Sequence, residues 1–310
     1  MVDDPSTGDT GSALLLMGVL SAALAGTALV WIWLARRRRR IALLPYQPRR
    51  PVPWQGWDVL VVAVFCFLAL QVAGAIVAAV LGPDEMRPLP QAAGPAEQVH
   101  PALRALRHGD LRVQLAVLLT AVLIAPVAEE FFFRVLLQGW LEAAECRHRR
   151  QLPTLRLLLP HGGLAVIASS LVFARLHARV GTEQYSVSCM AGMLAGQAAV
   201  NVLTLAFALV WVRARAGATV RDLGWAPEHL GSDVRTGLLV FAAVAVPIYA
   251  IQIIVWSLLP EGVAPDPVPL FFFALALGIV YYRTHRIVPA IVLHMALNAT
   301  SLMIWLAGVD

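Results

Sequence analysis

Glu129-Glu130-x-x-x-Arg134, Phe173-x-x-x-His177 and His294-x-x-x-Asn298 put ionisable and amide side chains inside or at the ends of apolar runs. A charge at the centre of a bilayer costs from about 3 to more than about 10 kcal/mol, so such residues usually line a polar interior and mark function. Residues four apart on a helix share a face, which pairs Glu130 with Arg134 and His294 with Asn298. Glu129 is turned about 100° from Glu130 by helix geometry. It is free to work on water while Glu130 and Arg134 hold the frame. A carboxylate and an imidazole together can deprotonate a water. A second imidazole and an amide can donate to an oxyanion. Two carboxylates, two histidines, an arginine and an asparagine on three runs therefore make a complete set for hydrolysing an amide inside a membrane. Glu129, His177 and His294 also make a zinc triad, and the residues alone leave metal-dependent and metal-free chemistry both open. Each part has a structural alternative as well. Both glutamates can serve only as partners of Arg134 and another helix, His177 can face headgroups, and His294 with Asn298 can make an interhelical hydrogen bond.

The elements that carry these residues are long and apolar. The chain has 310 residues, 59% of them hydrophobic and 14% charged, with a mean hydropathy of +0.72. A soluble domain carries about 25% charged residues. Continuous apolar runs rather than short alternating ones predict an all-α polytopic membrane protein and not a β-barrel. About eight transmembrane helices are expected: roughly 13–34, 57–81, 111–141, 163–177, 186–212, 236–259, 270–282 and 287–307. Pro126 stands three residues before Glu129 and predicts a bend there. The polar site lies between helices. Residues 1–110 read as an N-terminal two-span region with a basic, proline-rich linker and a polar loop, and 111–310 as the core that carries the motifs.

The net charge of +5 is carried entirely by arginine, since the chain has no lysine, and the arginines lie in loops next to the apolar runs. That is the positive-inside pattern of a membrane protein. With no basic domain or aromatic platform, nucleic-acid binding is excluded. The Arg-rich side (Arg36 to Arg40, Arg147 to Arg156, Arg213 to Arg235, Arg283 and Arg286) is read as cytoplasmic, with the site reached from that side of a bacterial plasma membrane. The acidic start and the length of the first run argue against a cleaved signal peptide. Cys66, Cys146 and Cys189 show no CxxC spacing and form no framework. Other hydrolase signatures are missing: there is no His-Glu-x-x-His, Gly-x-Gly-Asp or Gly-x-Ser-x-Gly.

In their residues and in their order on separate spans, the three motifs resemble those of the CPBP family, the CAAX proteases and bacteriocin-processing enzymes also called ABI or type II CAAX prenyl endopeptidases. Leu275 to Asn298 resembles the last two helices of that family beyond the motif itself. The resemblance implies that Glu129 and His177 activate the water, that His294 and Asn298 stabilise the oxyanion, and that Glu130 and Arg134 support the site. It implies an intramembrane endopeptidase acting on membrane-associated peptides or proteins within the lipid bilayer. It leaves the cofactor undecided between a divalent metal such as zinc, held by Glu129, His177 and His294, and none. In such proteins the second and third motifs usually lie closer together. Here roughly 181–262 reads as an inserted two-span segment, and it carries Asp222-Leu223-Gly224-Trp225-Ala226-Pro227, which is similar to a segment that many members carry before an early span. The alternative function is a non-catalytic immunity or scaffold protein that keeps the fold and binds a peptide or partner. A proton-relaying transporter predicts matched halves, and the chain shows no such internal symmetry.

Overall fold

The computed structural model describes residues 26–27, 29–31, 33, 44, 46–48, 50–88, 111–148, 160–177, 185–258 and 267–306. Among the described residues the regular structure is all helix: α1 (Gly56–Leu81), α2 (Leu111–His148), α3 (Gly163–Leu176), α4 (Val187–Ala216), α5 (Leu230–Leu258, entered through a 3₁₀ turn at Pro227–His229), α6 (Pro267–Thr284) and α7 (Ile287–Leu306). Six helices, all but α3, are long and apolar enough to cross a membrane. The expected count of eight is therefore approximate. The first expected span, 13–34, lies mostly outside the described residues. The fourth corresponds to α3, whose 14 residues rise about 21 Å, short of a hydrocarbon core of about 30 Å.

Backbone polar groups in lipid must be satisfied within the helix or by a neighbour. α1 begins with a reciprocal cap between Gln55 and Asp58, and Asp58 also accepts the indole N–H of Trp211 on α4 at 3.1 Å. α4 turns Gly192 and Gly196 toward Val77 and Ala73 of α1, a small-x-x-x-small approach of two helices. Outward residues such as Leu68, Ile76 and Val80 stay exposed, as lipid-facing residues should.

α2 is not a regular α-helix. Leu119–Ile124 and Phe131–Gln138 are π-helical and flank an α-helical piece, Ala125–Glu130. In the first π stretch the Ala125 N–H bonds the Thr120 carbonyl, five residues back. The next bond in that register would run from residue 126 to the Ala121 carbonyl, but Pro126 has no N–H to give. The bend expected at Pro126 thus takes the form of π turns on either side of the glutamates, a feature frequent at functional sites.

α7, which carries the third motif, is fixed at its start. The α6–α7 turn is held by Ile287 N–H donating to the Gly224 carbonyl at 3.0 Å and by Arg286 standing 2.8 Å from the buried Asp233 of α5. Gln47 N–H reaches the Arg283 carbonyl, and Arg283 Nε reaches that of Leu44. Gly224 has a φ of +74°, and a Cβ there would sit 3.1 Å from the His285 carbonyl oxygen. The loop between α4 and α5 therefore needs glycine at its docking point.

α5 crosses α7 at Gly237, where a Cβ would lie 2.7 Å from the Pro289 carbonyl oxygen and 2.7 Å from Val292 Cβ. Gly237→Ala is expected to destabilise by about 1–3 kcal/mol, the usual cost of overpacking. Gly231, earlier on α5, has open space around it, so Gly231→Ala should be neutral or gain up to about 1 kcal/mol. Thermal unfolding of the two detergent-purified variants checks this. Equal behaviour would mean the α5–α7 contact is not tight.

Candidate active site

The frame of the site is a buried ion pair on α2. Glu130 and Arg134 are both fully buried, and Arg134 Nε donates to Glu130 Oε2 at 3.1 Å. A buried carboxylate needs such a partner, because desolvation of an unpaired charge costs several kcal/mol. Arg134 Nη1 lies 3.4 Å from Ser169 Oγ on α3, and the guanidinium stands 5.5 Å from the centre of the Phe173 ring. Its Nη2 has no hydrogen-bond partner among the described residues.

The other carboxylate oxygen of Glu130 receives His294 of α7. Nδ1 donates to Glu130 Oε1 at 2.9 Å. His294 is buried and edged by the rings of Phe173 and Phe273. His177, the residue that ends α3, is fixed in a parallel way. Its Nδ1 donates to the Phe173 carbonyl at 2.8 Å, and its ring stacks on Phe173 with centroids 4.1 Å apart.

These two contacts set the orientation of both imidazoles. With Nδ1 committed as a donor, each ring presents Nε2 to the site. Glu129 Oε2 lies 3.5 Å from Nε2 of His177 and 3.8 Å from Nε2 of His294. Glu129 is the open member of the group, with a quarter of its side chain exposed against none of Glu130. The adjacent glutamates are thus placed differently, as expected from their offset around the helix: one is sealed in an ion pair and the other faces two imidazole nitrogens.

Asn298 is set apart from this group. Its Nδ2 donates to the Ala121 carbonyl at 2.8 Å, the acceptor that Pro126 leaves without its π-register donor. One N–H is spent on repairing α2, and the second remains for another partner. Glu129, Glu130, Arg134, His177 and His294 therefore come together, and Asn298 joins α7 to α2 beside them.

Four participants were not singled out from the sequence. Gln138 Nε2 donates to the Gly278 carbonyl at 3.0 Å and to Glu142 Oε1 at 2.9 Å, and Ser169 lies between Gln138 and Arg134. Glu142 Oε2 meets His285 Nε2 at 3.1 Å, while His285 Nδ1 meets the Gln47 carbonyl at 2.7 Å. The signal was present: Glu130, Arg134, Gln138 and Glu142 recur every four residues, one polar stripe down α2. His285 holds a φ of +47°, a conformation that costs a non-glycine residue energy and persists only where its surroundings impose it.

Glu129, His177 and His294 are the donor types of a zinc site. Yet among the described residues no three His, Cys, Asp or Glu side chains form a group that could hold a metal ion.

The family described as type II CAAX prenyl endopeptidase Rce1-like matches residues 111–220 and 224–300, a range that includes every motif residue and runs through α4 and α5. No curated protein and no solved structure matches the chain.

Proposed function

The chain belongs to the Rce1-like family of type II CAAX prenyl endopeptidases, and from that premise we propose that it hydrolyses a peptide bond of a membrane-associated protein or peptide, with water activated by Glu129 and His177. It is an integral membrane protein, with six apolar helices of spanning length. The observation that carries the reading is the shared direction of the two imidazoles, whose Nε2 atoms both face one oxygen of Glu129.

A neutral His177 that donates through Nδ1 has a lone pair on Nε2. That lone pair and the Glu129 carboxylate are two acceptors side by side. A water seated against them can donate to both and lose a proton as its oxygen attacks the substrate carbonyl. The proton then passes to the nitrogen of the scissile bond, which leaves as the amine. The carbonyl oxygen gains negative charge and needs donors. His294 supplies one if it carries protons on both nitrogens, Nδ1–H to Glu130 and Nε2–H to the oxyanion. His294 lies against both carboxylates. Glu129, His177 and His294 are the residues that would hold a divalent metal, and no step is routed through one.

The free N–H of Asn298 is the second oxyanion donor in this proposal. Asn298→Ala removes the donor to the half-buried Ala121 carbonyl as well, and a carbonyl left unpaired away from water costs about 1–3 kcal/mol. A fall in unfolding temperature together with a fall in kcat is the expected result. Lost stability with unchanged kcat would restrict Asn298 to repairing α2.

The full-length protein in detergent is expected to cleave a quenched fluorescent peptide that ends in a prenylated CAAX sequence, and to do so in the presence of chelator. Cleavage lost to chelator and restored by zinc would replace the water–carboxylate proposal with a metal-dependent one. Cleavage of an unprenylated peptide at the same rate would widen the substrate class to membrane-associated peptides in general.

A further inference from the structure

The turn that follows α1 meets the first turns of α4. Glu85 Oε2 accepts from Ser186 at 2.7 Å and from Ser188 at 2.6 Å. Ser186 also caps α4 by accepting the Cys189 N–H. The Ser188 and Ser186 hydroxyls hold the Glu85 carboxyl below the usual carboxylate range, so this clamp is charged at neutral pH. It fixes Met86, the next residue, over Cys189. Cys189 Sγ is buried and lies 3.5 Å from Met86 Sδ and 3.9 Å from Met193 Sδ. Met193 is one helical turn further along α4 and shares the face of Cys189. The Cys189 sulfur is thus flanked by two methionine sulfurs, one from the turn after α1 and one from α4.

We propose that Met86, Cys189 and Met193 form a binding site for Cu(I). Sulfur ligands bound at about 2.3 Å to one ion stand about 3.8–4.0 Å from each other in trigonal or tetrahedral geometry. The Cys189–Met193 separation of 3.9 Å lies on that edge, and the Cys189–Met86 separation of 3.5 Å is a few tenths of an ångström shorter. One thiol with two thioethers is a soft donor set, which selects Cu(I) over zinc, magnesium or calcium. Binding releases the thiol proton, so the thiolate and a monovalent ion together are neutral. The glutamate beside the cluster is already held by two serines, and it fixes the turn rather than adding a hard ligand. Nothing in this site is shared with Glu129, His177 or His294, so it stands or falls independently of the proteolytic reading.

The test uses the full-length protein in detergent with Cys66→Ser and Cys146→Ser, which removes the two other thiols. Cu(I) is titrated anaerobically under ascorbate against bicinchoninate. The parent should hold a single Cu(I) per chain, with only sulfur neighbours in X-ray absorption, and Cys189→Ser should abolish binding. Met86→Leu and Met193→Leu conserve volume and keep the fold. Each should weaken binding by at least the roughly tenfold that loss of even an outer-shell partner costs. No binding by a parent that is folded by circular dichroism overturns the proposal. So does binding that is unchanged in Cys189→Ser or in both methionine variants, since the ion would then sit elsewhere.

Discussion

Glu129→Gln is expected to abolish nearly all hydrolysis while leaving the helices in place. The amide keeps the size of the carboxylate but cannot take a proton from water, and loss of a positioned general base costs about 10²–10⁴ in rate. The fold should tolerate the change, because Glu129 is partly exposed and the buried ion pair of α2 is made by Glu130 instead. His177→Ala should fall by a similar factor, since His177 Nε2 is the other acceptor facing the water. The double variant should then be little worse than either single one, because residues that act as a unit lose their effect together. Rates of the three variants on one peptide, each shown folded by its unfolding temperature, check this. Multiplying losses would assign Glu129 and His177 to separate steps. Full activity in Glu129→Gln would remove the carboxylate from the chemistry and shift weight to the binding-protein alternative.

Much of the site was legible because lipid makes its residues costly. Glu130, Arg134 and His294 stand out in an apolar sequence for the same reason that they are paired in the fold: an isolated charge there would not persist. The division between the two glutamates also followed from the sequence, since a single residue step turns a side chain by about 100°. Other features have no counterpart in hydropathy. The third span was expected to end near Leu141, but α2 continues to His148. Gln138, Glu142 and Glu145 are polar residues with partners on other elements. Glu145 accepts the N–H groups of Gly162 and Ala165 at the start of α3, so it caps a helix instead of ending one. The π turns were hidden because a proline announces a missing bond and not the register that replaces it. The partner of Asn298 was hidden for the same reason: its acceptor is a backbone carbonyl on α2, and a list of side chains does not show which carbonyl a proline leaves open.

The ion pair of α2 separates stability from chemistry. Arg134→Leu leaves Glu130 fully buried with His294 as its remaining partner, and breaking a buried pair from one side costs about 3–5 kcal/mol. That is a large share of the roughly 5–15 kcal/mol that holds a typical domain together. The variant should unfold far below the wild-type temperature or fail to accumulate. Arg134→Lys should recover only part, because an ammonium cannot reproduce the planar fork that meets Glu130 on one edge and Ser169 on another. In the double variant Glu130→Gln, Arg134→Met the orphaned charge is gone, and much of the stability should return. Activity should not return with it. Glu130 also accepts from His294 Nδ1, and a glutamine there no longer supplies the carboxylate that orients the ring. The expected outcome is a folded protein with the thermal stability of an active enzyme and little of its turnover, measured by unfolding in detergent and by peptide cleavage on one preparation. If the double variant recovered both, Glu130 would serve only as the counterion of Arg134. His294 would then need no carboxylate behind it, and the oxyanion donor would have to be sought elsewhere.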